Sequence, residues 1–113
     1  RSTETDERKY FVDVIGSPRP LSPQVDVTLF RSVQEAINNA NKHSKASKVN
    51  IYLDYSNTGM ISLKIIDNGV GSENFDGGFG LIGMRERVKL IQGEIKFAST
   101  KGQGFEIQIT VPG

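Results

Sequence analysis

The chain has 113 residues, 36% of them hydrophobic and 24% charged, with 14 Lys and Arg against 13 Asp and Glu; this fits one domain, residues 1–113, with a single core, and excludes a disordered chain or a basic nucleic-acid footprint. The absence of Cys and a single His exclude disulfides, thiolate catalysis and the usual zinc sites, so a metal here is expected to take oxygen ligands. No apolar run is long enough for a membrane span or a signal-peptide core, so the domain is expected to be cytoplasmic and without direct membrane contact. A chain beginning at Arg1 is expected to be a piece of a longer protein, whose own membrane attachment stays open.

Residues 1–8 are polar and are expected to form a loose N-terminal extension. Lys9 to Ile15 alternates around Tyr10, Val12 and Val14 and predicts an edge strand. Pro18 and Pro20 then forbid regular structure until Ser22 and Pro23 supply an N-cap and a first helical position. From there to about His43, Leu29, Val33, Ala36, Ile37 and Ala40 form an apolar stripe at helical period. Val49–Tyr55 and Met60–Asp67, joined by Ser56-Asn57-Thr58-Gly59, predict a hairpin. The segment 68–80 is rich in glycine and has no period, so it reads as a loop. Leu81, Met84, Val88 and Ile91 predict a second helix that stops at Gly93. Two last strands, Glu94–Ser99 and Phe105–Val111, flank Lys101-Gly102-Gln103-Gly104. This order predicts an α/β two-layer sandwich, with helices on one face of a mostly antiparallel mixed sheet.

Three segments carry chemistry. On the first helix Asn39 stands four residues after Glu35 and three and four before Lys42 and His43, which sets the four along one side; the row Glu35, Asn39 and Lys42 is expected to lie away from the apolar stripe. Asn39 could give an amide oxygen to Mg²⁺, which keeps phosphates and waters in its other positions. Lys42 could neutralise a phosphate, His43 could donate to another, and Glu35 could orient a metal-bound water or act as a base. The same row also reads as a solvated face with an Arg31–Glu35 ion pair. In Asp67-Asn68-Gly69-Val70-Gly71 the carboxylate ends a hydrophobic strand. A carboxylate only accepts hydrogen bonds, so it suits the amino group of adenine and opposes the carbonyl of guanine. An Asn-Gly hairpin turn is the competing reading, but residues 70–78 do not read as a returning strand. Gly78 and Gly80 lead into the helix at Leu81, where free amides can take a phosphate. Residues 78–83 match Gly-x-Gly-x-x-Gly but do not come directly after a strand, which excludes a dinucleotide-binding βαβ unit.

In order and spacing, QEAINNANKH, DNGVG, GFGLIGMRERV and KGQGF resemble the N box, the two G boxes and the final glycine turn of the ATP-binding domain of sensor histidine kinases, nearest the NarL/DegS/DesK-like subfamily of the gyrase, Hsp90, histidine kinase and MutL superfamily. The resemblance implies the Bergerat fold, with ATP and Mg²⁺ bound between the long helix and a lid at about residues 72–79. It assigns Asn39 to the metal, Asp67 to adenine and Gly80 with Leu81 to the phosphates, in agreement with the residues' own chemistry. Beside these, Glu35 is expected to be catalytic, Gly69, Val70 and Gly71 to lie at the base, and Lys42, His43 and Gly78 at the phosphates. It further implies a homodimeric parent whose dimerisation domain carries the phosphoacceptor His, and a response regulator as partner. No nucleic acid is implied. A nucleotide-sensing module and an anti-sigma-type serine kinase are the alternatives. One departure stands out: the family's last turn continues into Thr, where this chain has Phe105, which could instead pack in the sheet.

Overall fold

A computed structural model describes residues 9–40, 47–69, 81–99 and 104–113. Five strands and two helices succeed one another as β1 (Lys9–Ile15), α1 (Pro23–Asn39), β2 (Lys48–Asp54), β3 (Met60–Asp67), α2 (Leu81–Leu90), β4 (Glu94–Ser99) and β5 (Phe105–Pro112). The strands form one sheet in the order β1-β2-β3-β5-β4. Only β1 and β2 run parallel; the other pairs are antiparallel. The expected sandwich, edge strand and hairpin are all present.

Alternation decides which face of the sheet is covered. Side chains two apart share a face, so Val49 and Ile51 of β2, Ile61, Leu63 and Ile65 of β3, and Ile107, Ile109 and Val111 of β5 form one buried surface. The register sets Ile61 opposite Val111, Leu63 opposite Ile109 and Ile65 opposite Ile107. Val25, Leu29, Ala36 and Ala40 of the α1 segment and Leu81, Met84 and Val88 of α2 close this surface from one side. Strand β1 lies beyond that cover, and its Val12 is 62% exposed.

The helix ends reflect local chemistry. Ser22 accepts a hydrogen bond from the Val25 amide through its side chain, and Pro23 occupies the first turn. Ala40 caps the other end, its amide shared between the carbonyls of Ala36 and Ile37; the expected reach to His43 lies outside the described residues. Helix α2 stops before Gly93 as expected, but the left-handed residue is Gln92, at φ 66°. Gly93 answers a different need. A Cβ there would lie 2.7 Å from Val111 Cγ1 and 2.9 Å from the Thr110 carbonyl, so glycine lets the chain turn down onto β5.

Arg19 ties the start of α1 to one end of the sheet. Its guanidinium donates to the carbonyls of Tyr55 (2.8 Å), Asn57 (2.8 Å), Met60 (3.3 Å) and Gly113 (2.9 Å). The contacts with Tyr55 and Met60 are part-buried, and charge-assisted bonds are worth more than neutral ones. Arg19→Met, which keeps most of the stem, is therefore expected to cost about 1–3 kcal/mol, read as a lower urea midpoint with an unchanged slope. An unchanged midpoint would show that water replaces the guanidinium without loss.

Candidate functional site

Arg19 also places the start of α1 near Met60. The helix begins beside Met60, the first residue of β3, and has 17 residues. At 1.5 Å per residue it is about 25 Å long, and the eight residues of β3 span about 26 Å. Laid along β3, α1 would bring its Asn39 end level with the Asp67 end of β3. Helix α2 runs the other way: Gly93 after it abuts Val111 at the far end of β5, while Arg85 reaches the ring of Phe97, whose strand partner is Ile107. Its first residue, Leu81, lies a turn nearer the Asp67 end. The three internal stretches outside the described residues, 41–46, 70–80 and 100–103, all join the described chain at this end.

Asp67 has the inward parity of Ile61, Leu63 and Ile65, and is 8% exposed. Its carboxylate accepts the Gly69 amide at 2.8 Å. Val49 and Phe105 are its neighbours across the strands. Asn68 plays a different part: its side-chain oxygen accepts the amides of Ser47 (3.0 Å) and Lys48 (2.9 Å), and its amide group donates to Ser47 Oγ (3.0 Å). It thereby staples the start of β2 to the end of β3 and holds Asp67 in place. The competing hairpin turn at Asn68-Gly69 is excluded, because β3 pairs with β2 and β5 and the next described element is α2.

Glu35 and Asn39 are half-buried, and Nδ2 of Asn39 is buried without a hydrogen-bond partner. The row containing them was expected to lie away from the apolar stripe, and here the structure corrects the sequence. Thr28 and Ser32 are buried, at 6% and 0% exposure, which turns the inward face of α1 by about 40° toward Asn39 on a wheel of 100° per residue. Ser32 can be buried because its hydroxyl donates to the Thr28 carbonyl at 2.8 Å. Asn39 therefore stands at the margin of the core, where an orphaned polar atom needs a partner. Leu81 is 1% exposed; its side chain is core, and its backbone amide at the helix start is what it can offer a ligand. Lys42, His43, Val70, Gly71, Gly78 and Gly80 lie outside the described residues.

A shallow pocket of about 160 Å³ opens beside Asp67, lined by Ile66, Ala98, Ser99, Gly104, Phe105 and Glu106. Gly104 has φ +95°, and a Cβ on it would overlap the Asp67 carbonyl. Ser99 Oγ donates to the Gly104 carbonyl at 2.9 Å. Phe105, half-buried, packs on Phe97 with ring centroids 6.1 Å apart and planes 26° off parallel. It does pack in the sheet, and it does so at the edge of this pocket.

The family described as "Histidine kinase-, DNA gyrase B-, and HSP90-like ATPase" matches residues 24–113. The chain belongs to this family. Within this ATPase family it is similar to the signal transduction histidine-protein kinase/phosphatase DegS of Brevibacillus brevis, 38% identical over 107 residues, covering 90% of this chain and 28% of the relative. It is also similar to the sensor histidine kinase LiaS of Bacillus subtilis, 41% identical over 95 residues, covering 81% of this chain and 26% of the relative. The chain thus spans little more than a quarter of the length of these relatives. Among solved structures, the histidine kinase domain of an Erythrobacter litoralis blue-light activated histidine kinase superposes with a TM-score of 0.73 at 21% identity, covering 97% of this chain and 55% of that one. The ATP binding domain of PrrB from Mycobacterium tuberculosis gives 0.71 at 24% identity, covering 92% and 80%. These likenesses show a shared fold; ATP binding comes from membership of the family.

Proposed function

We propose that this chain is the catalytic domain of a sensor histidine kinase, binding Mg-ATP and presenting the γ-phosphoryl to a His on the dimerisation domain of its parent. A response regulator would then take the phosphoryl from that His. The observation that carries the reading is the convergence at one end of the sheet of the Asp67 carboxylate, the orphaned Asn39 amide and the start of α2. Asp67 would accept the adenine amino group, and the first amides of α2 would face the phosphates. Asn39 fits a metal ligand through its side-chain oxygen, because the buried atom of its amide is Nδ2 and Mg²⁺ takes oxygen ligands. Mg²⁺ bound there would neutralise phosphate charge. Glu35, one turn earlier, would orient a water or act as base. Phosphoryl transfer asks mainly for positioning and charge neutralisation, so the domain can hold ATP ready without owning the acceptor.

The described helices include none long and apolar enough to cross a membrane. The domain is proposed to be cytoplasmic and its parent a homodimer. The test is calorimetric titration with ATP in the presence and absence of Mg²⁺. Asn39→Ala is expected to remove most of the Mg²⁺-dependent gain in affinity, about tenfold or more, while leaving binding of metal-free nucleotide nearly unchanged. Failure of the parent chain to bind ATP would overturn the reading; an unaltered Mg²⁺ dependence would remove Asn39 from the metal.

A further inference from the structure

The base end of the proposed site holds an aromatic group that the proposed nucleotide contacts leave unused. Phe105 is the strand partner of Asp67 and shares its inward parity with Ile107, Ile109 and Val111. Its ring is therefore beside the carboxylate rather than on the opposite face of the sheet. It is also held from behind. Phe97 stacks on it at 6.1 Å, and the Arg85 guanidinium of α2 lies 5.2 Å from the centre of the Phe97 ring. The turn that delivers Phe105 is fixed as well, by the Ser99 to Gly104 hydrogen bond and by the close approach of Gly104 to the Asp67 backbone. Both rings are only half-buried.

Resting on the reading of Asp67 as the adenine contact, we propose that Phe105 is a further binding residue for the base, one that supplies affinity rather than choice among bases. It is a preset apolar wall against which the purine ring packs, with Phe97 and Arg85 as positioning residues behind it. A phenyl ring offers no hydrogen bond, so recognition divides into two separable parts. Asp67 reads the exocyclic amine, and Phe105 reads the presence of a flat aromatic ring. The first part distinguishes adenine from bases lacking the amine; the second supplies affinity without distinguishing them, because every base has a π face.

This division is what the experiment reads. ATP and purine riboside triphosphate, which lacks the 6-amino group, are titrated into the parent chain, Phe105→Leu, Phe105→Tyr and Phe97→Leu, with the thermal midpoint of each recorded. Phe105→Leu is expected to weaken both nucleotides about tenfold, leaving their affinity ratio unchanged. Phe105→Tyr, which keeps the ring, is expected to bind both within about twofold of the parent chain. Phe97→Leu is expected to weaken both by a smaller factor. Phe105→Leu and Phe105→Tyr both binding ATP as the parent does would overturn the inference and leave Phe105 as core alone. A Phe105→Leu change confined to ATP would overturn it too, since the ring would then act through the amine contact. Absence of ATP binding by the parent chain is a distinct result, which removes the nucleotide reading itself and this inference with it.

Discussion

Asp67→Asn is expected to weaken ATP binding by about tenfold to a hundredfold, the scale of a lost hydrogen bond to a charged acceptor in a buried setting. The substitution keeps shape and volume. Its amide oxygen can still accept the Gly69 amide that the carboxylate now takes at 2.8 Å, so the fold is expected to survive with a small change in thermal midpoint. What changes is the sense of the contact. The new amide group can donate, so it suits the carbonyl of guanine and opposes the amine of adenine. The ratio of ATP to GTP affinity is therefore expected to fall further than ATP affinity alone. Calorimetric titration of both nucleotides reads this directly, and unchanged ATP binding would remove Asp67 from the base.

Gly104→Ala is expected to have the larger effect on stability. The residue sits at φ +95°, a backbone conformation that side chains rarely adopt, and its Cβ would overlap the Asp67 carbonyl. Relief requires that β5 draw away from β3 at the pair Asp67 and Phe105, which is the base end of the site. Strain and lost pairing together are expected to cost about 2–4 kcal/mol, a fall in thermal midpoint of about 10–20 °C for a chain of this size. Nucleotide affinity should fall with it even where the protein remains folded. Gly59→Ala provides the control, because a Cβ there meets nothing within 4 Å. Similar losses in the two variants would show that the close approach at Gly104 is not the cause.

Much of the fold was legible because helix and strand formation are local events. Ser22 and Pro23 announced the start of α1, and the alternation of Met60–Asp67 put Ile61, Leu63 and Ile65 on one face before any partner strand was known. The same alternation put Asp67 on that face at the strand end. The site was less legible. The inward face of α1 is not legible from residue type, because Thr28 and Ser32 are polar yet buried; the hydroxyl of Ser32 is satisfied by a carbonyl one turn back, which composition cannot show. A signal did exist, since Thr28, Ser32 and Asn39 recur at helical spacing along the flank of the apolar stripe.

By itself the sequence determined the order of the elements, the alternation that turns Asp67 inward and the helical row that contains Glu35 and Asn39, because each depends on backbone hydrogen bonding and side-chain direction over a few residues. The tertiary structure adds that the start of α1 is tied through Arg19 to the Met60 end of β3. It alone placed Phe105 between Asp67 and Phe97, with Arg85 behind, and made Gly104 a point of contact with β3. Those relations depend on strand register and helix direction. Both are set by partners far away in the chain, such as Arg19 with Gly113 and Asp67 with Phe105, whose pairing no local pattern encodes.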